Sequence, residues 1–138
     1  MTVLVDSNVI LDIFTEDKNW FGWSSAALER AALTSPLLIN PIIYAEVSVR
    51  FSRIEELDEL LPPDRFVRAP IPYASAFLAG KAYAHYRRRG GRRFSPLPDF
   101  FIGAHAAVAN FRLLTRDPRR YRTYFPGLVL IAPQRFTH

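Results

Sequence analysis

The chain has 138 residues, 49% of them hydrophobic and 14% aromatic, which is the length of one domain, with enough apolar side chains for a core and too many for a disordered segment. Cysteine is absent, which excludes disulfides and thiolate metal sites and fits a reducing cytoplasm. The net charge is +5, and of the 18 basic residues only Lys18 and Lys81 are lysines; the arginines that make up the rest grip phosphate with a bidentate fork, so nucleic acid is an expected partner.

Thr2 to Val5 is a strand-like run that ends at Asp6, and a helix over Val9 to Phe14 follows at once, with Ser7 or Asn8 near its cap. A second helix is expected from about Ser24 to Leu33, before Pro36 breaks the pattern. Leu37-Leu38-Ile39 reads as a compact apolar strand, and Asn40-Pro41 opens a helix in which proline suits the first turn. A polar helix from Glu55 to Leu61 stops at Pro62-Pro63, and Phe66 to Arg68 reads as an edge strand. From Tyr73 to about Arg88 an alanine-rich helix places Phe77, Gly80, Tyr83 and Ala84 on one face and stops at Gly90-Gly91. Leu97-Pro98-Asp99 opens another helix, in which Asp99, Ile102, Gly103, Ala106 and Asn110 share a face. Arg112 to Thr115 is a short strand, Pro118 to Tyr124 a short helix, and Leu128 to Ile131 the last strand.

This alternation predicts an α/β fold with a mostly parallel central sheet and helices on both sides, residues 1–138 forming one domain. The longest uncharged run, residues 31–45, is interrupted by Pro36 and Pro41 and is too short to span a bilayer. The first strand begins without a basic leader, so a soluble intracellular protein is expected.

In such a sheet the carboxyl ends of the strands lie along one edge, where acids from distant parts of the chain can meet. Asp6, Glu46, Asp99 and Asp117 each fall where a strand ends or a helix begins. Taken singly, the three aspartates are also suited to helix starts, and Glu46 to pairing with Arg50 one turn later. Asp99, however, shares its face with small and apolar residues, and Glu46 lies among Ile42, Ile43, Val49 and Phe51; an inward acid needs compensation. Carboxylates crowded together call for a cation, their hard oxygens suit magnesium or manganese, and such an ion suits phosphodiester chemistry.

Other charged residues read differently. Glu55, Glu56, Asp58 and Glu59 are expected to face solvent, Asp12, Glu16 and Asp17 to lie at the surface, and His85, His105 and His138 to be structural or surface histidines. The arginines cluster twice: Arg87, Arg88, Arg89, Arg92 and Arg93 flank Gly90-Gly91, and Arg112, Arg116, Arg119, Arg120 and Arg122 surround Asp117. Both clusters are candidate RNA contacts outside an acidic pocket.

Val5-Asp6-Ser7-Asn8-Val9, Ala45-Glu46-Val47, Pro98-Asp99 leading into Ile102, and Leu114-Thr115-Arg116-Asp117 follow one another over the whole chain. Together they resemble the motifs of PIN-domain nucleases and, more narrowly, of VapC toxins. The resemblance implies a PIN-like three-layer fold and a magnesium-dependent endoribonuclease, manganese being the substitute ion. It also implies the toxin of a type II toxin–antitoxin pair, dimeric and held inactive by a small VapB antitoxin. The metal-binding role carries over to Asp6 and Asp99, with Glu46 and Asp117 at the other two acidic positions. Ser7, Asn8 and Thr115 match small polar positions that support metal, water or phosphate, and Asn40 stands where a small hydroxyl residue is often found.

Two rivals remain at this level. One is a PIN-like module that binds RNA or protein without cutting. The other is an aspartyl phosphotransferase with Asp6 as phosphate acceptor, although Asn8 replaces the second acid of one such family. Dinucleotide binding is poorer, since no glycine-rich turn follows the first strand.

Overall fold

Short apolar runs bounded by proline, asparagine and glycine lay out the framework. The computed structural model describes residues 1–91 and 97–134. Val3–Val5 (β1), Leu37–Ile39 (β2), Phe66–Arg68 (β3), Arg112–Leu114 (β4) and Leu130–Ile131 (β5) pair in parallel in one sheet of order β3-β2-β1-β4-β5. Leu4 of β1 stands between Leu38 of β2 and Leu113 of β4. Every residue of β1 and β2 is buried, as strands covered by helices on both faces require, and their sequences are correspondingly unbroken apolar runs. At the edge, β3 buries Phe66 and leaves Val67 and Arg68 exposed.

The flanking helices are Ser7–Phe14 (α1), Phe21–Thr34 (α2), Pro41–Ser48 (α3), Ile54–Leu60 (α4), Tyr73–Arg88 (α5), Leu97–Ala109 (α6) and Arg119–Tyr124 (α7). Asp6 itself, rather than Ser7 or Asn8, caps α1: its side chain accepts from the Ser7 backbone N–H at 2.8 Å. α2 begins at Phe21, earlier than Ser24, because the Asp17 carboxylate accepts from the backbone N–H groups of Asn19 and Trp20 and closes the turn ahead of it. Ser24 is instead buried and donates to Asp12.

Two expected helix faces differ from the observed ones. α5 turns Ser75, Ala79 and Ala82 inward and leaves Phe77 68% exposed; small side chains let α5 lie close along α6, which a phenylalanine at that contact would prevent. Asn110 does not continue the face of Asp99, since α6 ends at Ala109 and Asn110 takes a left-handed φ of 60°, a conformation asparagine tolerates at helix ends. Gly103 is required where it is: a Cβ there would lie 2.6 Å from the Phe125 ring and 3.0 Å from the Tyr121 ring. The absent side chain thus lets α7 and Phe125 seat against α6. Among the described residues no helix is long and apolar enough to cross a membrane.

Candidate active site at the carboxyl edge of the sheet

The neighbouring strands β1 and β4 end together, with the Asp6 backbone N–H donating to the Leu114 carbonyl at 2.9 Å. That register sets Asp6 beside Thr115. Asp6 is only 3% exposed, and its two oxygens are already held. The Ser7 backbone N–H donates to Oδ1, while Thr115 Oγ1 at 2.8 Å and the Tyr121 hydroxyl at 2.9 Å donate to Oδ2. Asn8 Nδ2 donates to Thr115 Oγ1 at 3.2 Å, and its carbonyl oxygen accepts from the Arg116 backbone N–H. Burial pushes the Asp6 carboxyl up to about 7, with the nearby charge of Asp99, and then that of Glu46, adding to it against the Thr115 and Tyr121 hydrogen bonds.

Glu46 reaches this neighbourhood from α3. Its Oε1 accepts from Ser7 Oγ at 2.7 Å, and no Glu46–Arg50 ion pair occurs among the described residues. Burial raises its pKa, opposed by the Ser7 hydrogen bond and assisted by the charge of Asp99. Asp99, in the first turn of α6, accepts from Arg120 Nη1 at 2.8 Å. Its pKa is raised by burial and by Asp117, against the pull of Arg120. Asp117 is more exposed; its Oδ1 accepts from Arg119 Nε at 3.2 Å, and its backbone N–H donates to Thr115 Oγ1. It does not cap α7, which starts two residues later with no side-chain cap.

Asp6, Asn8, Asp99 and Asp117 line one open cavity of about 490 Å³, whose remaining wall is made by Tyr86, Arg89, Arg119, Arg120, Tyr121, Thr123 and Tyr124. Among the described residues no three side chains of Asp, Glu, His or Cys converge closely enough to enclose a metal ion by themselves. The donor set nevertheless fits magnesium, which keeps several waters and is usually held by only one or two carboxylates together with substrate phosphates. The observation that supports the fit is Asp6. A carboxyl lifted by its own burial and by neighbouring carboxylates lies in a field that a divalent cation would relieve.

Several residues singled out in the sequence lie elsewhere. Asn40 caps α3, accepting from the Ile43 N–H at 2.9 Å, and its amide nitrogen donates to Nδ1 of buried His105, whose pKa is lowered by burial. It supports α3 and not the carboxylates directly. Arg112 sits at the far end of β4, its backbone N–H donating to the Thr2 carbonyl and its guanidinium to Ser35, on the edge opposite Asp6.

Arg116 is turned inward onto Asp12, through Nε at 3.0 Å and Nη2 at 3.2 Å, with its guanidinium over the Trp20 ring. Asp12 is therefore a buried anchor and not a surface acid, at 3% exposure. Of the first arginine cluster, Arg89 lines the cavity, Arg87 and Arg88 are exposed on the last turn of α5, and Arg92 and Arg93 lie outside the described residues.

Tyr121 and the aromatic wall escaped the sequence reading. A tyrosine four residues ahead of Phe125 within a run of arginines was the available signal, since a buried tyrosine brings a hydroxyl that needs a partner.

Solved structures match this architecture at low identity. The structure of VapBC2 from Rickettsia felis bound to a promoter DNA fragment aligns at 19% identity over 97% of this chain and 100% of that one, with a TM-score of 0.72. VapBC-1 from nontypeable Haemophilus influenzae aligns at 18% identity over 96% and 98%, with a TM-score of 0.72. A toxin–antitoxin complex from Klebsiella pneumoniae aligns at 23% identity over 93% and 96%, with a TM-score of 0.67. No curated protein matches by sequence. The PIN domain model matches residues 3–126, a span that holds every strand but the last and all four acids, and the chain belongs to the PIN domain family.

Proposed function

We propose that the chain is a magnesium-dependent endoribonuclease, the toxin of a type II toxin–antitoxin pair, that hydrolyses RNA phosphodiester bonds with water as nucleophile. The observation that carries this reading is the meeting of Asp6, Asp99 and Asp117 on one cavity rimmed by Arg89, Arg119 and Arg120, with Glu46 held behind Asp6 by Ser7. The fold-level likeness to toxin–antitoxin complexes supports the toxin role, with a small VapB-type antitoxin, a homodimeric assembly and a cytoplasmic setting as parts of the same proposal.

Asp6 and Asp99 would hold the ion, with Asp117 reaching it through water. When bound, magnesium lowers the pKa of a coordinated water and offsets charge on the phosphate. Glu46, fixed by Ser7 and with its pKa raised by burial, is suited to take the proton of the attacking water. Thr115 and Tyr121 position the Asp6 carboxylate. Arg119 and Arg120 neutralise the RNA backbone at the rim, and water attack leaves a 5′-phosphate and a 3′-hydroxyl.

The test is to incubate purified protein with total RNA, with and without magnesium, and to map new 5′ ends. Cleavage only with the ion is expected, and Asp99→Asn should slow it by roughly 100-fold or more, the scale of removing a principal electrostatic contact from a transition state. Metal-loaded protein that binds RNA yet leaves all transcripts intact would replace this reading with the non-cutting module.

A further inference from the structure

The cavity is larger than an ion and a phosphate need, and its far wall is not acidic. There Tyr124 of α7 packs edge-on against fully buried Phe100, with ring centroids 5.1 Å apart, and against Tyr86 of α5 at 6.0 Å. The Arg89 guanidinium lies over the Tyr124 ring at 5.9 Å. The wall is thus a planar aromatic group, anchored in the core, with a planar cation laid on it at the cavity mouth. Arg120 lies between this wall and the carboxylates, its guanidinium over the Tyr86 ring at 5.8 Å and its Nη1 on Asp99, and Arg119 holds Asp117 on the same cavity. One end suits a divalent ion, the middle a phosphate, and the far end a flat, electron-rich ring.

We infer that Tyr124 and Arg89 form a nucleobase subsite, which receives the base of one unstacked nucleotide next to the bond being cut. The inference rests on the proposed ribonuclease reading and assigns to it a substrate form, single-stranded RNA with one base turned into the cavity. A base in a duplex is stacked on both faces and cannot lie on a protein ring, so paired RNA is excluded at this position. Stacking accepts every base, so the subsite demands that a base be present more than it selects which. Choice of cutting sequence then belongs to contacts farther along the strand.

The test uses a single-stranded oligoribonucleotide spanning a mapped cut, and a series in which one nucleotide at a time near the cut is abasic. Removing the base at one position should lower kcat/KM by about 5- to 150-fold, the range that stacking of one base spans. Tyr124→Ala and Arg89→Ala should each slow the intact strand and add nothing further on that abasic strand, while Tyr124→Phe keeps the ring and the rate.

Abasic scanning that finds no sensitive position, or variants that slow intact and abasic strands equally, would overturn the subsite. Arg89 is exposed at the end of α5, so its variant remains informative if Tyr124→Ala fails to fold. Binding is read separately, from quenching of a 2-aminopurine placed at the sensitive position or scanned along the strand. Quenching that Tyr124→Ala abolishes, in protein that binds but does not cut, would uphold the subsite and discard the nuclease. Absence of both binding and cutting would discard both.

Discussion

At the residue scale, Asp6 makes the metal-free protein sensitive to pH in a defined direction. Its folded pKa of about 7 lies above the ordinary 3.8, so between those values the folded chain binds more protons than the unfolded one and stability falls as pH rises. Asp99 and Glu46 are shifted the same way and add to the slope. The loss attributable to Asp6 between about pH 4 and 7 is on the order of 4 kcal/mol. Calorimetry in a chelator should show the melting temperature dropping across that window and level above it, with Asp6→Asn flattening most of the slope and magnesium restoring stability near pH 7. A profile flat from acid to neutral would refute this.

Arg120 makes a second prediction at the same scale, because its guanidinium occupies Asp99 Oδ2, where a cation would also bind. Arg120→Met keeps a flexible stem beside Tyr86 and removes the competing charge. Manganese affinity, read by electron paramagnetic resonance, should rise about 2- to 10-fold, the scale of a part-exposed ion pair, while cleavage at saturating metal falls with the lost phosphate contact. Unchanged affinity would mean that the pair and the ion coexist.

At the scale of elements, the contact between α6 and α7 fixes where Tyr121, and through it Asp6, can stand. Gly103→Ala pushes a methyl into the Phe125 and Tyr121 rings. Both rings are buried, so the expected cost is about 1–3 kcal/mol of overpacking, together with a lower cleavage rate that added magnesium does not recover. Wild-type stability in the variant would show that α7 can shift without strain.

The element plan was largely legible in the sequence because proline, asparagine and glycine punctuate it: Leu37–Ile39, Phe66–Arg68 and Tyr73–Arg88 have the boundaries the sequence suggests. What the sequence hid were side-chain destinations set by long-range packing. In α5, apolar residues occur all round the helix, so periodicity could not choose between the Phe77 face and the Ala79 face. Asp12 resembles any exposed acid until Arg116, more than 100 residues later, arrives beside it. The Tyr121 bond to Asp6 likewise joins the last helix to the first strand, a pairing invisible to local spacing. Local signals do place Asp6 at a strand end and Asp99 in the first turn of α6, and the parallel sheet gathers these ends at one edge; Glu46 instead stands inside α3, past its start, and reaches Ser7 with its side chain.

For the whole molecule, the same sheet polarity sorts the arginines behind a charge of +5 into those at the carboxyl edge, where the proposed RNA strand would lie, and those held away from it. Arg89, Arg119 and Arg120 line the cavity at the carboxyl edge. Arg112 is at the opposite edge on Ser35, and Arg116 is clamped to Asp12. Each arginine that neutralises a phosphate of a single strand adds about −0.7 to the slope of log affinity against log salt. With Arg89 given to the base, Arg119 and Arg120 are two such contacts and predict a slope of about −1.4 for an oligoribonucleotide bound by the Asp99→Asn protein with magnesium present. Replacing Arg119 by glutamine in that background should make the slope shallower by about 0.7, and Arg112→Gln should leave it unchanged. Arg116→Gln should also leave the slope alone but cost about 2 kcal/mol of stability, below the 3–5 of fully buried pairs because this arginine is partly exposed. Equal slope changes for all three variants would mean that RNA is drawn to the overall charge and not to the carboxyl edge, and the cavity would lose its claim as the place where the strand lies.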